Sequence, residues 1–242
     1  MDFEIQRECR QEKSRSLTNF LTCMQSHILT RNPEAGRCRK IYAYKGDILN
    51  MNVVRETCQG YEILPIDSLE LEDRIISVEG EINQESLSRF RREFRYLTKQ
   101  NSKPIHVLIS SYGGDVNAGM AIYDLIVNSK VPVSTFCVGM AASMGAVIFA
   151  SGHKGMRYML PHSTLMIHEP LISGASGGST SSLTRTAEEL VKTRHMIAEV
   201  LAASCDKPVE KVLEDMKYEQ IFSAVESMEY GFCDDIVTEL PE

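Results

Sequence analysis

Two polar side chains in otherwise apolar segments could carry out covalent chemistry. Ser143 lies in a small-residue stretch, 138–146, whose glycines and alanines can hold a tight turn between a strand and a helix. His168 follows an apolar run and precedes Pro170. A serine hydroxyl is a poor nucleophile at neutral pH unless a base such as imidazole takes its proton. Ser143 and His168 are therefore a candidate nucleophile and base, although serines in such turns commonly cap helices and lone histidines are commonly structural.

A third segment strengthens the catalytic interpretation. The apolar run 105–109 is followed by Gly113 and Gly114, and an amphipathic helix is predicted over 117–128. Adjacent glycines at the end of a strand let the backbone approach a substrate and direct N–H groups at a developing oxyanion. A nucleophile, a base and an oxyanion-binding turn together favour acyl transfer.

The order of these motifs resembles a known family. Ser-x-Gly-Gly, Ala-Gly-Met-Ala-Ile-Tyr-Asp, Ala-Ala-Ser-Met-Gly-Ala and Met-Ile-His-x-Pro are similar to the proteolytic subunit of the Clp protease over residues 69–240. The resemblance implies an α/β, crotonase-like fold of repeated β-β-α units with a protruding handle. It also implies a serine endopeptidase, a hydrolase, with Ser143 as nucleophile and His168 as general base. Gly114 and Met144 would supply the N–H groups of the oxyanion hole.

The third member of the implied triad departs from the family pattern. Where the family has an aspartate before its Phe-Leu-Ser-Ala-like stretch, this chain has Glu219 before Ile221-Phe222-Ser223-Ala224. A glutamate can still orient the imidazole, because the requirement is an acceptor aimed at one ring nitrogen. Asp215 and the absence of a third member are the alternatives, and a solvated surface charge is the non-catalytic interpretation of Glu219.

The segment after His168 is predicted to bind substrate and to join subunits. Gly174, Gly177 and Gly178 lie in a small-residue run that the resemblance places on the handle, where a free backbone edge can pair with an extended peptide. The helix predicted over 183–204 would expose Val191, Ile197 and Leu201 in a single chain, and such apolar surface usually marks an interface. We therefore expect a homo-oligomer, and the resemblance implies two heptameric rings forming a tetradecamer.

Composition excludes several other classes. The 242 residues carry a formal net charge of −7, which argues against nucleic-acid binding. No apolar run approaches the roughly 20 residues of a membrane span, and the acidic N-terminus does not have the pattern of a secretory signal. Seven cysteines without a Cys-x-x-Cys pair predict reduced thiols and no zinc site, and hence a cytoplasmic protein. No phosphate-binding loop is present, so no cofactor or metal is expected.

The chain divides into two predicted parts. Residues 1–63 form an N-terminal extension, atypical for the family, that is either a flexible arm or a gating or docking element. It is predicted to hold a helix over 17–29, a turn over 32–36 and a strand over 53–57. Residues 64–242 form the peptidase domain. Its predicted strands are 74–78, 105–109, 131–138, 156–160 and 164–167, and a helix is predicted over 83–100 between the first two. Alternating strands and helices are typical of α/β domains.

Partners and alternative functions follow from the same motifs. The substrates would be peptides or unfolded proteins. Family members carry outward aromatics that receive loops of an AAA+ unfoldase, and the corresponding positions here are His106 and Leu108, which leaves that partner open. The alternatives are a catalytically impaired ring subunit that keeps the fold, and an acyl-CoA enzyme of the crotonase-like fold, which would not need the Ser–His pair.

Overall fold

The computed structural model describes residues 41–44, 52–57, 60–172 and 178–241, and the chain divides into two compact units, Met1–Glu72 and Asp73–Glu242. The helix predicted over 17–29 and the turn predicted over 32–36 lie outside the described residues.

The first unit contains a small antiparallel sheet. Its strands are β1 (Ile41–Tyr44), β2 (Asn52–Thr57) and β3 (Gly60–Pro65), in that order, and helix α1 (Ile66–Glu72) follows. Strand β2 confirms the strand predicted over 53–57. The Arg55 guanidinium donates to the carboxylates of Glu62 and Glu72, each at 2.8 Å, and so ties β2 to β3 and α1.

The second unit alternates strands and helices, as predicted. Its elements are β4 (Ile75–Ile82), α2 (Gln84–Gln100), β5 (Ile105–Gly114), α3 (Val116–Val127), β6 (Val133–Ala142), α4 (Met144–Ala150), β7 (Arg157–Met159), β8 (Thr164–Ile167), α5 (Thr180–Cys205), α6 (Val209–Asp215), β9 (Gln220–Ser223), α7 (Ala224–Tyr230) and β10 (Asp235–Ile236). Strands β5 and β6 run five and four residues beyond their predicted ends, through the glycine pair and the alanines before Ser143.

The seven-stranded sheet is forked near its centre. Strands β10, β7, β6, β5 and β4 are neighbours in that order, and all of these pairs are parallel. Strand β6 pairs with β7 up to Cys137 and with β8 from Met140 onward, while β9 pairs antiparallel with β8. Because β6 and β8 are parallel, their carboxyl ends meet, which brings the residues after Ala142 and Ile167 together.

Local capping explains where the helices that flank the sheet begin. Asn83 accepts hydrogen bonds from the N–H groups of Glu85 and Ser86, forming a capping box that starts α2. Asp115 accepts from the N–H of Ala118 at 2.7 Å and starts α3 directly after the glycine pair. The helix predicted over 83–100 is confirmed, and its apolar stripe packs inward.

The core lies between the sheet and these helices. All seven residues of α4 are buried, as are Ile105, Val107 and Ile109 of β5. The buried Arg157 on β7 donates to both carboxylate oxygens of Asp234 and to the backbone oxygen of Ser204. A buried guanidinium needs these partners, because an unpaired buried charge is costly. These bonds tie β7 to the residue before β10 and to the end of α5.

Candidate active site

Ser143 lies at a strained turn between β6 and α4. Its backbone has φ 55° and ψ −119°, a conformation that residues with a side chain rarely adopt, and its side chain makes no capping hydrogen bond to α4. The Ser143 N–H donates to the Met166 backbone oxygen on β8 at 2.8 Å, which holds the turn in place. The half-buried side chain is thereby left for other interactions, since neither the strand nor the helix uses it.

His168 follows β8 and contacts Ser143 directly. Its Nε2 lies 2.8 Å from Ser143 Oγ, within hydrogen-bond distance, and the ring is half-buried. With Nε2 unprotonated, the imidazole accepts the hydroxyl proton, which is the geometry that a Ser–His nucleophile needs. The structure thus joins the two residues whose types and spacing indicated this chemistry.

The glycine pair of β5 packs against the Ser143 turn. A Cβ placed on Gly113 would lie 2.7 Å from Ser143 Cβ and 3.1 Å from the Met144 nitrogen, so only glycine permits this approach. Gly114 has φ +151° and is exposed. Met144 is the first residue of α4, so its N–H has no partner inside the helix. Gly114 and Met144 line the same cavity as Ser143 and His168.

Glu219 and Asp215, the two candidates for the third member of the triad, have different surroundings. Strands β8 and β9 pair as far as Ile167 opposite Gln220, so Glu219 immediately precedes β9 at the end where His168 follows β8. The exposed Glu219 side chain makes no hydrogen bond or ion pair with His168 in the described part of the chain. In this structure the Glu219 carboxylate is therefore exposed and not bonded to the histidine.

Asp215 is engaged elsewhere. It accepts from the Tyr230 hydroxyl at 2.6 Å and from Lys211 Nζ at 2.5 Å. Burial acts to raise the pKa of the Asp215 carboxyl, but these hydrogen bonds lower it below its usual value overall. Its two oxygens have partners on α6 and α7, so Asp215 serves their packing.

A cavity of about 520 Å³ opens beside Ser143 and His168. Its apolar wall includes Ile197 and Leu201 of α5, which are only 5% and 1% exposed. The prediction that a single chain exposes these two residues is wrong, because the second half of α5 packs over α4. Val191, in the first half of α5, is 47% exposed, as predicted.

Three glycines after His168 were predicted to bind substrate, and none of them lines the cavity in the described part of the chain. Gly174 and Gly177 lie outside the described residues, and Gly178 is exposed ahead of α5 and does not line the cavity. Two acidic residues that line the cavity, Glu81 and Asp115, were not predicted from the sequence as site residues. The capping pattern before α3 could have located Asp115, whereas Glu81 depends on how β4 pairs with β5.

The described residues contain no cluster of histidine, cysteine and acidic side chains suited to a metal ion. They also contain no helix that is long and apolar enough to cross a membrane.

Comparison with known proteins places this architecture in one family. The family model described as Clp protease matches residues 60–240. The chain is 40% identical over 189 residues to an ATP-dependent Clp protease proteolytic subunit of Streptococcus thermophilus, covering 77% of this chain and 95% of that protein. The protein of the same description from Streptococcus agalactiae serotype V is 39% identical over 188 residues, covering 76% and 95%. The chain therefore belongs to the Clp protease family and is a serine-type peptidase, a hydrolase.

Proposed function

We propose that this chain is an endopeptidase that cleaves peptides and unfolded proteins through Ser143 and His168. The observation that carries the proposal is the 2.8 Å contact between His168 Nε2 and Ser143 Oγ, at a strained turn that opens on a cavity. A serine held at a sharp turn from strand to helix presents its hydroxyl to substrate instead of to the helix.

The reaction follows from these positions. His168 Nε2 takes the proton of Ser143 as Oγ attacks the scissile carbonyl carbon, and the carbonyl oxygen becomes an oxyanion. The N–H groups of Gly114 and Met144 donate to that oxyanion, and two such donors stabilise the transition state by several kcal/mol, about 3 kcal/mol each. The imidazolium then protonates the leaving amine. Water, activated by the same ring, hydrolyses the acyl-enzyme and restores the Ser143 hydroxyl.

Glu219 is proposed as the residue that orients His168. The pairing of β8 with β9 supports this role, because Glu219 immediately precedes β9 at the end of the pair where His168 follows β8. A carboxylate at the Nδ1 side of the ring would hold the reactive tautomer and stabilise the imidazolium.

Two substitutions of Glu219 test whether its carboxylate orients His168. We expect Glu219→Gln to reduce peptide turnover about tenfold or more, because a neutral amide stabilises imidazolium poorly and can select the wrong tautomer. Glu219→Asp should retain most of the activity, because it keeps a carboxylate, and loss in the amide together with retention in the aspartate indicates that the charge acts on His168. The measurement is turnover of a fluorogenic peptide across pH. Asp215→Asn is the control, expected to lower the melting temperature through loss of its Tyr230 and Lys211 contacts while turnover persists. Wild-type turnover in Glu219→Gln would contradict the role.

Oligomeric assembly is the second part of the proposal. The first half of α5 exposes Leu183 and Val191, and apolar surface of this kind fits an interface between copies of the chain. Closed rings would enclose the cavity and protect other proteins from an open Ser–His site. We propose the double heptameric ring that the family resemblance implies, with residues 174, 177 and 178 near the substrate path and the cytoplasm as its compartment.

An ATPase partner is proposed on the strength of the relatives, which are described as ATP-dependent. His106, at one position where the family resemblance implies an outward aromatic, packs against Phe136 at 6.0 Å between ring centroids, and Phe136 contacts Tyr158 at 4.9 Å. Burial lowers the pKa of His106, so this ring is neutral at pH 7 and suits an apolar contact.

A serine-directed fluorophosphonate tests the proposed chemistry directly. The native protein should be labelled at Ser143, because only an activated hydroxyl attacks the probe at a useful rate. Heat-denatured protein should not react. Absence of labelling in native, assembled protein would favour the catalytically impaired ring subunit instead.

A further inference from the structure

The cavity beside Ser143 carries negative charge that the proposed reaction does not use. Two carboxylates line it, Glu81 and Asp115, and among the described residues no lysine or arginine does. The Asp115 carboxylate caps α3. The side chain of the exposed Glu81 makes no hydrogen bond or ion pair with any described residue.

Strand pairing sets Glu81 close to the reacting groups. In the parallel register of β4 and β5, Glu81 is the partner of Gly113, and neighbouring strands lie about 4.8 Å apart. A Cβ on Gly113 would in turn be 2.7 Å from Ser143 Cβ. The Glu81 backbone is therefore within about 10 Å of the nucleophile, the length of about three extended residues.

We propose that Glu81 is a specificity-determining residue, which favours substrates with a lysine or arginine within about three residues of the scissile bond. The inference rests on the proposed peptidase function. A cationic side chain entering the cavity meets a carboxylate that has no partner among the described residues, and Asp115 lines the same cavity. A cleft lined by charge of one sign focuses the field on an incoming ligand of opposite sign. An acidic substrate residue at the same position is repelled.

Matched peptides isolate this charge effect. The probes are fluorogenic peptides that carry lysine, its uncharged isostere N-ε-acetyl-lysine, or glutamate at one position at a time around a fixed cleavage site. For wild-type protein we expect kcat/KM to be about fivefold higher with lysine than with acetyl-lysine at one position or more, and lowest with glutamate. The preference should weaken between about 50 mM and about 500 mM salt, because it is electrostatic.

Two variants of the same strand complete the test. Glu81→Gln should bring the ratio of lysine to acetyl-lysine cleavage down to about one. Glu79→Gln removes the same charge two residues earlier on β4, outside the cavity wall, and should keep the wild-type ratio and rate.

The possible failures are distinguishable. Equal cleavage of all three peptides by wild-type protein, or a lysine preference unchanged in Glu81→Gln, would overturn this inference and leave the peptidase function intact. Failure of the wild-type protein both to cleave the acetyl-lysine peptides and to react with fluorophosphonate would overturn the peptidase function, and this inference with it.

Discussion

Ser143→Ala should lower peptide turnover by about 10³-fold or more, because no other group could form the acyl-enzyme that the proposed mechanism requires. The fold should persist. Alanine keeps the β-carbon, so the cost of φ 55° is unchanged, and the serine side chain makes no capping bond that could be lost. The measurement is hydrolysis of a short fluorogenic peptide at saturating concentration.

The controls for this variant address folding and assembly. Ser102→Ala, at an exposed position between α2 and β5, should have wild-type turnover. Light scattering should give Ser143→Ala the same mass as the wild type, a large multiple of the 27.2 kDa of one chain. Turnover retained in Ser143→Ala would remove the basis of the catalytic assignment, and an active wild-type monomer would rule out the proposed chamber.

Strong local signals made much of the fold predictable. The helix α2 could be predicted to its last residue because Asn83 supplies a cap and the apolar residues recur with helical period. Strand β8 was predicted with its observed bounds for a similar reason, since a short apolar run lies between polar turns. Such elements are determined by residues that are near one another in the sequence.

The ends of the central strands were not predictable in the same way. Strand β5 continues through Ser110 to Gly114, where no alternation of apolar and polar residues remains. What extends it is pairing with β4 and β6, and polar or glycine residues can take part in a ladder through their backbones alone. Periodicity reports which side chains are buried, and not which backbones are paired.

The residues of the site also divide into those that could be predicted from the sequence and those whose position depends on long-range packing. Ser143 and His168 could be paired from the sequence because their residue types and motifs resemble those of one family. In the structure they follow the parallel strands β6 and β8, whose carboxyl ends lie together. Ile197 and Leu201 could not be assigned to the cavity, since their burial depends on the direction in which α5 returns over α4. Glu81 required the register of two strands separated by a whole helix.

Gly114→Ala tests the oxyanion hole through the backbone. A β-carbon at this position would lie 2.2 Å from the Ile82 backbone oxygen and 2.9 Å from the Ile82 nitrogen, so β4 and β5 would have to separate locally. Alanine would also be strained at φ +151°. The displaced N–H would no longer meet the oxyanion, and loss of one such donor lowers kcat by about 10²–10³-fold.

The pattern of kinetic constants separates this effect from a general loss of stability. An oxyanion donor acts in the transition state, so kcat should fall in Gly114→Ala while KM changes little among the molecules that remain folded. Gly155→Ala is the matched control, because that glycine also has a positive φ, +83°, but its β-carbon would meet nothing within 4 Å. It should lose about 1 kcal/mol of stability and keep its turnover. A folded Gly114→Ala protein with wild-type kcat would show that the oxyanion is bound elsewhere, because the clash with Ile82 leaves the Gly114 N–H no way to keep its position.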